Sequence, residues 1–485
     1  LKVIQKIFYE IEKNEIRLDK SSHKILTKYF HEKQNYDLTL GQINYSNLIL
    51  ISSFSSLIQI CLAFNKNFYY PLPTEWLVVL KKNNIKVNFF ISKILYFLSA
   101  IIFFLKDFFK IFFKLFVKNI KIKNPTTLVY LDGLPKNLDN EFNENDPKYN
   151  FLSWCKNYLN IDKNITFIHN NKNISNKKFR DFESVYINYF YLCNFNLFNR
   201  FYYFCLFIHT ISIFIYYLLR GNIRHFYLLE NFFITAWLNK FKSKMPAYVF
   251  YNNANYLIKP WWTFSLEKDD EKKTFMYYYS SNHFPFDTYE KSLLGARLMT
   301  WTNYILFTFE QSEYLKKVNN YCKHFDLVGY FPFIGKNINF HKTRKIISLF
   351  PVTPFDDKKI FKDGRSDYEY YNLNNSINFF KHILECVQNY DLDIFIKKKR
   401  KISKKNAQTI NKDFINFTDK LTADKRVKII DEDISALSII EKSDLVISPP
   451  YSTPSLIANH FNIPSVFYDS SNELIQIEPC ILKVK

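Results

Sequence analysis

From about residue 125 the chain repeats one pattern: a short run rich in β-branched and aromatic residues, a stop in small polar residues, then a helical stretch. Thr127 to Leu131 stops at Asp132-Gly133, Ile165 to His169 at Asn170-Asn171, and Tyr248 to Tyr251 at Asn252-Asn253. Thr274 to Tyr279 stops at Ser280-Ser281-Asn282, and Tyr304 to Phe307 is followed by Glu310-Gln311. Strands that finish this way and enter a helix read as βαβ units around a parallel sheet. In such sheets ligands lie outside the carboxyl ends of the strands. A second series begins near residue 345: Ile346 to Phe350 leads into Pro351-Val352-Thr353-Pro354, and a helical segment over Tyr370 to Asn389 follows. Strands over Leu392 to Ile396, Val427 to Ile430, Leu445 to Ser448 and Ser465 to Tyr468 complete it. The pattern predicts an α/β protein with two Rossmann-like domains facing a cleft, residues 124–338 and 339–485, behind an extra, mostly helical N-terminal region, 1–123. This is the arrangement of a GT-B-type fold. Leu1 in first place and a strand over Ile481 to Lys485 with nothing after it leave the expectation that both termini are incomplete.

Two apolar stretches stand apart from that pattern. Ile94 to Leu105 is continued by Lys106, Lys110, Lys114 and Lys118, whose four-residue spacing predicts one slowly drifting helix face. An apolar helix with a basic stripe suits an in-plane contact with an anionic membrane surface. Phe201 to Leu219 has spanning length. Its tyrosines, His209, Thr210 and Ser212 favour a buried or interface-lying helix, with His209 structural rather than a ligand. The net charge of +21 fits anionic partners, although a Lys-rich codon bias explains part of it. The basic residues do not alternate with aromatics as in a nucleic-acid-binding module, so nucleic acid is not expected. Seven scattered cysteines without a C-x-x-C pair predict a reducing, cytoplasmic setting.

The densest signal is Asp444 to Asp469, DLVISPPYSTPSLIANHFNIPSVFYD. A buried strand runs into Pro449-Pro450, and Ser452-Thr453-Pro454 then opens a helix, which is helix-start chemistry and a potential anion site. Upstream, the strand Leu392 to Ile396 delivers Lys397, Lys398, Lys399, Arg400 and Lys401 to the same sheet edge. Strand alternation aims some of them at the crevice and leaves the rest in water.

These residues resemble a bacterial polysaccharide biosynthesis family named for a PFTS motif. The turn here reads Pro450-Tyr451-Ser452-Thr453, with the two hydroxyl residues exchanged, and the later strand reads Pro464-Ser465-Val466-Phe467-Tyr468-Asp469. Lys259-Pro260-Trp261-Trp262-Thr263-Phe264-Ser265-Leu266-Glu267, with Lys259 in place of the expected Arg, and Phe275 to Tyr279 with Ser280-Ser281-Asn282 resemble it too. The likeness covers roughly residues 245 to 475. It implies glycosyl transfer in capsule or lipopolysaccharide assembly, with 124–338 as acceptor domain and 339–485 as nucleotide-sugar donor domain.

Such an enzyme deprotonates an acceptor hydroxyl and stabilises a departing nucleotide phosphate. For the base the sequence offers Glu267, then Asp132. For the donor phosphates and nucleotide it offers Lys397, Lys399, Arg400, Tyr451, Ser452 and Thr453. No cofactor or metal is expected: Asp391/Asp393 and Asp431/Asp433 match D-x-D only by spelling, and His283, His341 and His460 lack ligand spacing. The expected partners are a nucleotide-sugar donor, a glycan or glycolipid acceptor and the inner face of the plasma membrane. A nucleotide-sugar epimerase of the same fold and a non-catalytic, membrane-associated assembly protein stay open as alternatives.

Overall fold

The structure is a computed structural model. It describes residues 6–11, 13, 54–116, 127–130, 165–169, 178–179, 182–186, 196–252, 259–267, 271–278, 299–318, 322–329, 342–356, 372–398, 410–431, 434–450, 452–471 and 481–483.

Eight strands form the first sheet: β1 Thr127–Tyr130, β2 Ile165–His169, β3 Lys178–Phe179, β4 Phe182–Tyr186, β5 Tyr248–Asn252, β6 Lys273–Tyr277, β7 Asn303–Leu306 and β8 His324–Leu327. Their spatial order is β3-β4-β2-β1-β5-β6-β7-β8. All neighbours run parallel except the short β3, which pairs antiparallel with β4 at the edge. Six strands form the second: β9 Lys345–Leu349, β10 Leu392–Lys397, β11 Val427–Ile430, β12 Leu445–Ser448, β13 Ser465–Asp469 and β14 Ile481–Lys483. They lie in the order β11-β10-β9-β12-β13-β14, every pair parallel. Counted along the chain this is the doubly wound order 3-2-1-4-5-6, and without β3 the first sheet repeats it with one strand more. The protein is therefore α/β with two Rossmann-like sheets behind a helical N-terminal region. Strands β3, β4 and β8 have no counterpart in the sequence reading.

In the second sheet, alternate residues feed two cores. Ile347, Leu349, Ile394 and Ile396 pack with α8, Leu373–Cys386, and α9, Lys412–Lys420. Ile346, Phe350, Phe395 and Val446 pack on the other face with α10, Ala436–Ile440, and α11, Thr453–His460. A strand buried on both faces has no polar side to show, which is why these runs read as continuously apolar.

The first sheet is covered more deeply. Helices α1, Phe54–Phe64, and α2, Thr74–Lys82, precede α3, Phe89–Lys114. The β4-to-β5 crossover contains α4, Leu197–Leu219, a 3-10 turn over Ile223–Leu228, and α5, Leu229–Asn239. Asn88 and Asn196 cap α3 and α4 through their side chains. All of Phe232–Leu238 is buried, because α5 has neighbours on every side; such a helix needs no polar stripe. Helices α3 and α4 run antiparallel over it. Phe104 meets Phe214, Phe108 and Phe112 meet Phe207, and the Tyr203 hydroxyl donates to the Ile111 carbonyl at 3.0 Å.

The stripe of four lysines expected along α3 is not presented to the outside as one face. Lys114 is buried 3.5 Å from Glu230 of α5, whereas Lys110 stays exposed while reaching the same half-buried carboxylate at 2.6 Å. Lys106 is exposed, and Lys118 lies outside the described residues. His209, read as a structural histidine, is exposed on α4. Two further helices of this half are α6, Trp261–Leu266, and α7, Phe309–Val318, the latter opened by a Thr308 and Gln311 capping box.

Candidate functional site

Strands β9 and β12 are neighbours but not consecutive, so the winding reverses between them. A crevice opens at such a reversal because the connections leave toward opposite faces. Here it is a shallow, half-open concavity lined by Pro351, Val352, Asn375, Ser376, Phe379, Pro449 and Ser470. Pro351 follows β9 and Pro449 follows β12; Asn375 and Ser376 belong to the first turn of α8, whose cap Asn372 accepts from the Asn375 amide at 2.9 Å. Ser470 follows β13, and its hydroxyl donates to the Asn375 carbonyl at 2.7 Å, closing the ring of elements around the hollow.

Hydroxyl groups of the 444–469 stretch hold this edge together. The Ser448 and Ser455 hydroxyls lie 2.6 Å apart; Ser455 donates to the Val466 carbonyl at 3.1 Å and its own carbonyl accepts from the Ser465 hydroxyl at 2.8 Å. They tie β12, α11 and β13 into one unit. Asp469, wholly buried, accepts from the Ser471 amide and hydroxyl at 3.0 and 2.7 Å. His382 Nδ1 sits 2.6 Å from the Tyr468 hydroxyl, whose pKa burial pushes up to about 12. Asp444 serves the opposite edge, accepting from the Ile346 amide and from Lys342, both at 2.7 Å.

The expected donor residues divide. Ser452 is the N-cap residue of α11 with Thr453 first and Pro454 second in the helix, and the Ser452 hydroxyl donates to the Pro449 carbonyl at 2.7 Å rather than capping. Thr453 is buried. Lys397 ends β10, the strand beside β9, and is buried. Lys398, on the other side of the strand, is buried toward α9 with Asp419 at 3.6 Å. Lys397, Ser452 and Thr453 thus lie at the carboxyl edge of the second sheet, and none of them lines the hollow itself. Lys399, Arg400 and Tyr451 lie outside the described residues, as does Asp132, two positions beyond β1. The sequence reading did not name Asn375, Ser376 or Ser470. Asn at a helix cap marks the start of α8, yet only the strand order shows that this helix start borders the β9/β12 reversal.

Glu267 is placed elsewhere. It follows α6 and lies against Thr274, the second residue of β6, at the amino edge of the first sheet and away from the carboxyl ends. Both its carboxylate oxygens accept from Lys259 Nζ at 2.6 Å, and the Thr274 hydroxyl also donates to it. Lys259 is fully buried under Phe264 and Trp301, its ammonium 4.4 and 5.4 Å from their ring centres. Burial pulls the Lys259 pKa down, and Glu267 opposes that pull. The two ends of the K-P-W-W-T-F-S-L-E stretch thus close on each other across a six-residue helix. The spelled D-x-D at Asp391 and Asp393 is likewise taken up by cations, Arg344 at 3.0 Å and Lys428 at 2.8 Å.

The model of the family described as polysaccharide biosynthesis PFTS motif protein matches residues 215–480, more than half of the chain. That span runs from the second half of α4 to the residue before β14. No curated protein matches the sequence. Among solved structures, the wall teichoic acid polymerase TagF is similar at 12% identity over 76% of this chain and 78% of that one, with a TM-score of 0.35. A glycosyltransferase from Rickettsia africae ESF-5 is similar at 10% identity over 75% and 85%, TM-score 0.37. An α,α-trehalose 6-phosphate synthase from Burkholderia multivorans is similar at 8% identity over 71% and 83%, TM-score 0.37. At these scores the likeness carries no assignment.

Proposed function

Because this chain belongs to the polysaccharide biosynthesis PFTS motif family, we propose that it is a glycosyltransferase that moves a sugar from a nucleotide-activated donor to a growing glycan or glycolipid at a membrane surface. The observation that supports the reading is the hollow at the β9/β12 reversal, with the start of α11 and Lys397 at the same carboxyl edge of the sheet. In the proposed reaction the acceptor oxygen attacks the anomeric carbon of the donor. The bond from that carbon to the phosphate oxygen breaks, and its electron pair leaves with the nucleotide. Negative charge grows on the departing phosphate, where the positive end of α11 and the Lys397 ammonium stabilise it. The hydrogen of the acceptor hydroxyl goes to a carboxylate base, a role we give to Asp132, since in the sequence it comes two positions after β1, the strand that borders the corresponding reversal of the first sheet. Glu267 is not carried into this role, because its oxygens are occupied by Lys259 and Thr274.

The test is a thermal-shift screen of the full chain against CMP, UDP, GDP and dTDP, repeated with Lys397→Ala. A ligand that binds the folded state stabilises it by about 2.7 kcal/mol at a hundredfold excess over Kd. One nucleotide is expected to raise the midpoint in the wild type and to do so less in the variant. No response to any of them, with an intact fold, overturns the reading. Asp132→Ala is then expected to keep the nucleotide response and lose turnover.

A further inference from the structure

The geometry points to a definite membrane mode: the α3/α4 pair lies flat in one leaflet of an anionic bilayer, its outer face among the acyl chains and both ends of each helix on the side of entry. This deepens the membrane-surface part of the proposed function and rests on it.

The first observation is how little protein covers these helices. Of the most apolar stretch of each, 17% is buried for α3 and 33% for α4, whereas a core helix is mostly buried. What they expose is a continuous row at helical spacing. Leu98, Ile102 and Phe109 lie on α3 and Phe201, Ile208 and Ile215 on α4; Ile102 is 65% and Phe201 69% exposed. Two antiparallel helices side by side make this one broad apolar surface, far beyond the scattered single residues that soluble proteins tolerate.

The second observation is the placement of charge. The only carboxylate in the two helices is Asp107, and it is buried. Exposed cations sit beside the face with their stems over aromatic rings: Lys106 over Phe103, Arg220 over Tyr216 and Lys240 over Tyr202, the last at 3.8 Å. Long basic side chains so placed reach headgroups while their rings and stems stay in the apolar layer. The hydroxyls of Thr210 and Ser212 donate to the Leu206 and Ile208 carbonyls, so they need no water.

The third observation separates lying from spanning. The inner side of both helices rests on α5 and the 3-10 turn from one end to the other, through Tyr96 with Tyr227, Phe104 with Phe226, Lys110 and Lys114 with Glu230, and Tyr203 with Trp237. This covering layer carries Glu230 and leads back into β5 of the same sheet. A span would drag this charged, sheet-bound layer into lipid. Only the outer face is left to enter, which an interfacial helix pair does by immersing one side.

The test uses the full chain with preformed sealed vesicles of phosphatidylcholine, with and without one third phosphatidylglycerol. Cys205 is exposed on α4 and Cys386 is exposed on α8, giving a native probe and its control. On anionic vesicles the chain is expected to float, and alkylation of Cys205 by a soluble maleimide to slow roughly tenfold or more while Cys386 is unchanged, as immersion of that face requires. Lys93 and Lys240 are expected to stay open to an impermeant acylating reagent. Ile102→Asp combined with Phe109→Asp is expected to abolish both flotation and Cys205 protection while the nucleotide response of the fold is kept. Flotation with Cys205 still reactive overturns the inference and leaves membrane binding in place through another surface. Protection of Lys93 or Lys240 until detergent is added overturns it in favour of a span. Absence of flotation overturns both the inference and the membrane part of the proposed function.

Discussion

The first sheet is covered twice over along its β4-to-β5 crossover, by α5 and then by α3 and α4, whereas the second sheet, wound in the same order, carries one layer of helices on each face. Extra depth changes where charge can sit. In the first half cations and carboxylates meet under cover, as with Lys259 and Glu267 or Lys114 and Glu230. In the second they meet at strand edges close to water, as with Arg344 and Asp391 or Lys428 and Asp393. The same winding therefore yields one half whose polar groups hold the fold and another whose carboxyl edge is kept by small hydroxyls and left concave.

The sharpest way to break this comparison is Glu267→Ala. Removing one partner of a buried pair strands the other charge, so about 3–5 kcal/mol of stability should be lost. Urea denaturation measures it, and a loss under about 1 kcal/mol would put Glu267 among ordinary surface carboxylates. Next in size is Asp107→Asn. Burial, with Glu230 adding to it, pushes the Asp107 pKa up to about 6, against the partial opposition of Lys110 and Lys106. Its folded pKa lies above its unfolded value, so the charged form opposes folding: stability from this group is full below about pH 4 and is lost as pH rises through about 6. The amide should therefore stabilise the protein by about 1–3 kcal/mol at pH 7.5 and by progressively less below about pH 6.

How legible this was depended on whether local pattern or strand order decided the matter. Runs such as Val427–Ile430 and Leu445–Ser448 could be read directly, because a strand buried on both faces is apolar without interruption. His324–Leu327, half-exposed at a sheet edge and containing an Asp, carries no such signal and went unread. The motif around Ser452 and Thr453 was visible as helix-start chemistry, yet its serines turn out to bond mostly to one another and to carbonyls. Asn375, Ser376 and Ser470 come from three separate points of the chain, and nothing in their neighbourhoods announces that β9 and β12 lie side by side. The lysines of α3 show the reverse case: Lys106 and Lys110 are exposed as their spacing predicts, but Lys114 is buried beside Glu230, over a hundred residues away.

Smaller effects sharpen the contrast from the other side. Ser455→Ala should cost about 1–2 kcal/mol, since it leaves the Ser448 hydroxyl and the Val466 carbonyl short of a partner, and chemical denaturation of the second half reads it. Arg344→Ala, at a half-exposed pair, should cost about 0.5 kcal/mol or less and vanish at high salt. If the exposed pair cost as much as the buried one, depth of cover would not be what separates the halves.

Hydrogen exchange with and without the nucleotide that stabilises the chain most tests the central claim directly, because it reports where on the two similar sheets the ligand sits. The expected result is slowed exchange at Phe350 and Val352, across Tyr451 to Ser455 and around Ser470, with the ends of β1 and β5 unchanged. Protection confined to the first sheet, or none at all with ligand bound, would contradict the assignment of the β9/β12 reversal as the donor site.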